Sequence, residues 1–126
     1  MTFVRRGASL ARVAGELYFD YEIRLVVRER ILYPRLPAVI DEYGYEIWQG
    51  ENKLWWYDPQ PHPDDPGLQI TFPHHKHIPP NIKHNRVPAA GLSFDAPNIP
   101  LLIQEIEALV KEIAAEARNN LPATDN

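Results

Sequence analysis

Between Val13 and Val27 the chain alternates. Val13, Gly15, Leu17, Phe19, Tyr21, Ile23, Leu25 and Val27 take the odd positions, while Glu16, Asp20, Glu22, Arg24 and then Arg28 fall mainly on the even ones. Successive side chains of an extended chain point to opposite faces, so a period of two predicts strand with one face on a core and one toward water. The run is long for one strand, and Phe19-Asp20-Tyr21 is the place for a hairpin bend or a bulge. A helix through Tyr21, Leu25, Arg28 and Leu32 is the competing reading. Pro34 and Pro37 interrupt either one.

Two short aromatic runs follow, Tyr43 to Trp48 and Lys53 to Tyr57, separated by Gln49-Gly50-Glu51-Asn52. They predict a hairpin closed around Gly50. Tyr43, Tyr45 and Ile47 share one face of the first run, and Leu54 and Trp56 oppose Lys53, Trp55 and Tyr57 in the second. Pro59, Pro61, Pro63 and Pro66 then forbid a helix or a central strand, which leaves a stiff, exposed loop. Leu68 to Phe72 is expected as a short strand that delivers His74 to His77 to a sheet edge or end. Pro79, Pro80, Pro88 and Gly91 keep the next segment irregular. The last element is an amphipathic helix: Asn98 as cap, Pro100 in the first turn, and an apolar stripe of Leu102, Ile106, Leu109, Val110, Ile113 and Ala117. The expected fold class is α+β, an antiparallel β-sheet meander covered on one face by a C-terminal helix.

A chain of 126 residues fits one domain, expected over residues 9–118, with 119–126 as a flexible tail. No run approaches the ~20 apolar residues needed to cross a bilayer, and the start lacks the apolar segment of a signal peptide. With no cysteine, disulfides, thiolate nucleophiles and cysteine-ligated zinc are excluded. A cytoplasmic location is the expectation. The formal charge is -4, yet His74 to Arg86 holds four histidines, two lysines and one arginine without an acid. A local basic zone on an acidic chain attracts a polyanion or an acidic protein partner. Clustering of ordinary surface charge is the bland alternative. No glycine-rich phosphate loop and no internal repeat is present.

The run Phe72-Pro73-His74-His75-Lys76-His77-Ile78 carries the candidate chemistry. Zinc or nickel wants three or four ligands, and His62 and His84 are further nitrogens. Lys76 lies inside the run, no carboxylate lies between Thr71 and Ala90, and alternation sends His74 away from His75 and His77. The expectation is therefore no metal and no cofactor. Phosphate chemistry suits the run better. A histidine that titrates near neutrality can take a proton from a 2'-hydroxyl or give one to a leaving oxygen. A nearby lysine or arginine neutralises the charge that develops on phosphorus-bound oxygen. His75, His77, Lys76, His84 and Arg86 supply those parts, Lys83 adds charge, and Trp55 and Tyr57 are candidates to stack an unpaired base. The plain structural reading places the Trp55-Trp56-Tyr57 run in the core, Trp56 above all, and makes the histidines a solvated surface.

The hairpin with Tyr43, Tyr45 and Trp48, the run Leu54 to Asp58, the loop with His62, the run Phe72 to His77 and the closing helix together resemble the TumE family of small toxins over roughly Glu16 to Glu112. The resemblance implies a growth-inhibiting toxin held inactive by an antitoxin protein. The stiff Pro59-Gln60-Pro61 loop, and Pro79 to His84 after the histidine run, depart from the pattern expected of the family. Within this frame the chain reads as a possible metal-independent ribonuclease. His75 or His77 is general base, the other histidine or His62 is general acid, Lys76 holds the phosphate and Asp58 orients His62. The alternative is a non-catalytic protein that binds a partner or nucleic acid through its aromatic sheet face and basic run. The exposed aromatic edges permit a homodimer.

Overall fold

The computed structural model describes residues 2–6, 9–34 and 37–120. The alternating run folds as two strands around a tight turn, with Tyr21 and Glu22 both at positive φ (62° each). The bend expected near Phe19-Asp20-Tyr21 is therefore present, and the helical alternative is not. The described strands are β1 (Thr2–Arg6), β2 (Leu10–Tyr18), β3 (Ile23–Leu32), β4 (Val39–Gln49), β5 (Asn52–Asp58), β6 (His75–His77) and β7 (Arg86–Pro88), followed by the helix α1 (Ile99–Asn119). They form one sheet in sequence order, every neighbour antiparallel. The architecture is α+β, as the periodicity predicts. From residue 121 on, the expected tail lies outside the described residues.

Register follows the hydrophobic pattern, because a slip of one residue would turn a whole apolar set toward water. Leu25 pairs with Leu17 and Ile47, and Val27 with Gly15 and Tyr45. The β4–β5 turn carries Gly50 at φ +57°, the left-handed region glycine enters at little cost, and its N–H donates to the Glu22 carbonyl. Across this hairpin Tyr45 faces Tyr57 and Glu46 faces Trp56. Tyr57 thus shares the core side with Tyr45, and Trp56 takes the other.

Three local expectations need correction. Residues 66–71 form a 3-10 helix, not a strand: Asp65 accepts a hydrogen bond from the Gly67 N–H, and Pro66 sits in the first turn. Pro88 does not keep its segment irregular but ends the edge strand β7, a position in a sheet that tolerates proline. Asn98 stands at the start of α1, but its side chain makes no cap. Its amide instead donates to the Tyr45 hydroxyl and the Ser93 carbonyl, and its oxygen accepts from the Ser93 N–H.

The core joins Ile23, Leu25 and Val27 of β3, Tyr43, Tyr45 and Ile47 of β4, and Tyr57 of β5 with Leu102 and Ile106 of α1. Leu109, Val110 and Ile113 of the predicted stripe pack against this cluster, whereas Ala117 is exposed. Three buried tyrosines keep their hydroxyls paired, as buried polar groups must be: Tyr43 with His74, Tyr45 with Glu29, and Tyr57 with Glu105 of α1. Burial raises the pKa of all three, and the neighbouring carboxylates raise those of Tyr45 and Tyr57 further. A raised pKa in the folded state means the native chain holds its proton when the unfolded chain has released it. Stability is then intact below the unfolded value of 10.0 and falls as pH rises beyond it. Each tyrosine is expected to cost about 1.4 kcal/mol per pH unit above that point. Denaturant melts between pH 9 and 11.5, with tyrosinate absorbance as a second signal, check this. Smooth ionisation of all the tyrosines without unfolding would refute it.

Candidate functional site

Strand β6 is short, but its place in the sheet decides the geometry. It lies between β5 and β7, with Asp58 opposite His75, Trp56 opposite His77, and Arg86 opposite His77 on the far side. His75 and His77, two apart, share one face with Asp58, Trp56 and Arg86. Lys76 extends to the other face, where its ammonium reaches Glu105 at 3.4 Å and lies 4.7 Å from the Trp55 ring.

Asp58 is the centre of this cluster. One carboxylate oxygen is 2.9 Å from His75 Nε2 and the other 3.3 Å from His77 Nε2, while the two Nε2 atoms are 3.0 Å apart. His75 and His77 are only 1% and 3% exposed. Each ring is fixed from outside the cluster. His75 Nδ1 lies 3.1 Å from the Pro73 carbonyl, which can only accept, so this nitrogen carries a proton. The His77 ring lies flat on Trp56, with centroids 3.6 Å apart and planes 2° from parallel. The Trp56 N–H is anchored in turn on the Ile82 carbonyl. His62, from the proline-rich loop, meets the edge of the His75 ring at 4.9 Å.

Electrostatics set the rings apart. Burial works against a charged His75, but its hydrogen bonds to Asp58 and Pro73 and the Asp58 charge outweigh it, so its pKa is raised. Burial also lowers His77, and there the charges of His75 and Arg86 help to keep the net shift downward despite Asp58. His62 is lowered by burial, then by Arg86 and His75. Asp58, whose burial alone would raise it, is held low by hydrogen bonds from His75 and the Gln60 N–H. His74 stands apart: burial lowers it, and it binds the Tyr43 hydroxyl at 2.6 Å while stacking on that ring.

The predicted residues therefore divide. Asp58, His62, His75, His77 and Arg86 come together; Lys76 does not, because alternation turns it to the helix side. Asp58 pairs with the two strand histidines, and its charge also acts on His62. Tyr57 is a core residue with its hydroxyl on Glu105, so its ring presents no free face to a base. Trp55 is half-buried and packs against the core. Lys83 and His84 are exposed in the turn between β6 and β7. Trp56, assigned to the core on sequence grounds, forms one wall of the cluster instead. A cleft of about 670 Å³ adjoins it, lined in part by Trp56, Asp58, Gln60, Arg28 and Arg30. Arg28 and Arg30 were not expected here; their even parity, shared with Trp56 and Asp58 through the ladder, is the signal that places them on this face. Arg28 lies over Gly44, where a Cβ would stand 3.1 Å from its guanidinium, and reaches Glu46 at 3.6 Å.

These features define a small antiparallel α+β protein with a buried histidine–aspartate cluster beside a cleft that carries both arginines and carboxylates. The chain belongs to the toxin TumE family, whose model matches residues 1–116. No curated protein and no solved structure matches it. Membership supports a toxin role and implies an antitoxin as partner. Among the described residues no helix is long and apolar enough to cross a membrane.

Proposed function

We propose that the chain is a toxin that cuts RNA, with the scissile phosphate held where Asp58, His62, His75, His77 and Arg86 meet. The supporting observation is that convergence: three imidazoles and one carboxylate on one face, with a guanidinium whose charge acts on all three rings. In the reaction the 2'-oxygen bonds to phosphorus and the bond from phosphorus to O5' breaks. One proton leaves the 2'-hydroxyl and another is delivered to O5', which leaves a cyclic phosphate and a 5'-hydroxyl. With their Nε2 atoms 3.0 Å apart, His75 and His77 are too close to flank a phosphorus from opposite sides. They act as one unit with Asp58, and His62, which is less buried, is the second proton carrier. Arg86 neutralises charge on the phosphate oxygens, and exposed Arg28, on the cleft beside Trp56 and Asp58, is a further cation for the backbone.

Lys76 has no part in this scheme. Lys76→Ala loses a partly exposed ion pair with Glu105, worth about 0–1 kcal/mol, and is expected to cut RNA at the wild-type rate. Untagged protein, freed of antitoxin and mixed with excess single-stranded RNA, tests the reading. Many strands cut per chain, by wild type and Lys76→Ala alike but slowly by His62→Ala, is the expected result. Intact RNA, or a signal that saturates at one strand per chain, would replace cleavage by binding.

A further inference from the structure

We infer that Asp58, His75 and His77 form a binding site for one divalent first-row transition-metal ion. The inference stands apart from RNA cleavage, since an ion can bind whether or not RNA is cut. Its basis is the close approach of the donor atoms on one buried face: His75 Nε2 lies 2.9 Å from one Asp58 oxygen, His77 Nε2 lies 3.3 Å from the other, and the two Nε2 atoms are 3.0 Å apart. Nitrogen and oxygen ligands sit about 2.0–2.2 Å from such an ion. Ligands at right angles around it are then about 3 Å from one another, by the same bond lengths. The two Nε2 atoms have that spacing from each other, and each has it from one of the two carboxylate oxygens.

The Nδ1–H of His75 donates to the Pro73 carbonyl, so Nε2 is the ring atom turned toward an Asp58 oxygen 2.9 Å away and toward His77 Nε2. An ion at the centre takes these donor atoms together. The outer contacts are those a metal site needs. A carbonyl fixes the His75 tautomer that presents Nε2, and a tryptophan face fixes the His77 ring.

Two imidazoles with one carboxylate select manganese, iron, nickel or zinc, in preference to the harder magnesium and calcium, which favour all-oxygen sets. Three protein ligands leave coordination positions open. Arg86 opposes the ion's charge and weakens its binding. With only one carboxylate to offset both, the loaded site stays net positive, which suits an oxyanion such as a phosphate oxygen in the open position.

The test uses untagged full-length chain stripped with chelator and dialysed against Zn²⁺ or Mn²⁺, with bound metal counted and affinity measured calorimetrically. One equivalent per wild-type chain is expected, together with a rise in Tm on loading. Asp58→Asn and His77→Gln should each weaken binding by at least the ~10–100-fold that loss of a mere outer-shell contact costs. His74→Ala, on the opposite face, should keep it. Folding of each variant is checked by its metal-free circular dichroism melt. Where one single variant fails to fold, the other carries the comparison. Less than half an equivalent on wild type, equal affinity in a folded Asp58→Asn or His77→Gln, or a His74→Ala loss as large as theirs would overturn the assignment. Stoichiometric metal with uncut RNA would defeat the proposed activity and leave the metal site standing. Cleavage by a chain that binds no metal would do the reverse.

Discussion

Ile106→Ala is expected to lower the unfolding free energy by about 2–5 kcal/mol. The residue is fully buried and, with Leu102, comes from the helix into a cluster otherwise built by β3, β4, β5 and the segment before α1. Truncation removes apolar area and leaves a cavity, because sheet residues fixed by their ladder cannot close the gap. Marginal stability of ~5–15 kcal/mol makes such a loss a large fraction of the total. Ile70→Ala is the control. That side chain is 86% exposed on the 3-10 helix, so the same chemical change should stay within ~0.5 kcal/mol. Urea melts of both variants check the contrast. Similar midpoints would mean that α1 is not packed on the core as described.

His75→Gln is expected to slow RNA cleavage by about 10²–10⁴-fold, the range that a positioned acid–base or ligand side chain supplies. The effect should appear mainly in the rate at saturating RNA, because His75 is buried and Arg28 and Arg86 keep the attraction for phosphate. Glutamine retains hydrogen-bonding atoms but neither an imidazole proton nor a nitrogen lone pair. Asp58 loses part of its pairing, so a stability cost of about 1–3 kcal/mol accompanies the change. Rates are therefore compared well below the melting temperature of the variant. A folded His75→Gln that cuts at the wild-type rate would remove the cluster from the chemistry.

The parts of this molecule that burial imposes were legible in the sequence. Alternation from Val13 to Val27 is visible because one face of β2 and β3 must meet the core, and the stripe on α1 is visible for the same reason. The same parity argument paired His75 with His77 and turned His74 away. What sequence could not supply was the register between β5 and β6. Asp58 faces His75 only because the proline loop and the 3-10 helix between them have the length and path they do. A search for a carboxylate along the chain from Thr71 to Ala90 finds none. The sheet brings one from across a strand, and with it the metal-ligand spacing that the sequence argued against. The 3-10 helix was missed for a related reason. Leu68 and Ile70 have the spacing of a strand, but Leu68 alone is buried, and the Asp65 and Pro66 chemistry at the start decides the conformation. Lys76 looked like part of the site because it lies between two site residues in sequence. In an extended chain that neighbour always faces away.

The most direct test of the account is growth of a host cell lacking the antitoxin after induced expression of wild type and of Asp58→Asn, with both proteins shown to be folded and equally abundant. The substitution keeps the shape of the side chain and removes the charge that organises His75 and His77. The account predicts that wild type stops growth and Asp58→Asn does not. A folded Asp58→Asn as toxic as wild type would contradict it, and would move the toxic action away from this end of the sheet.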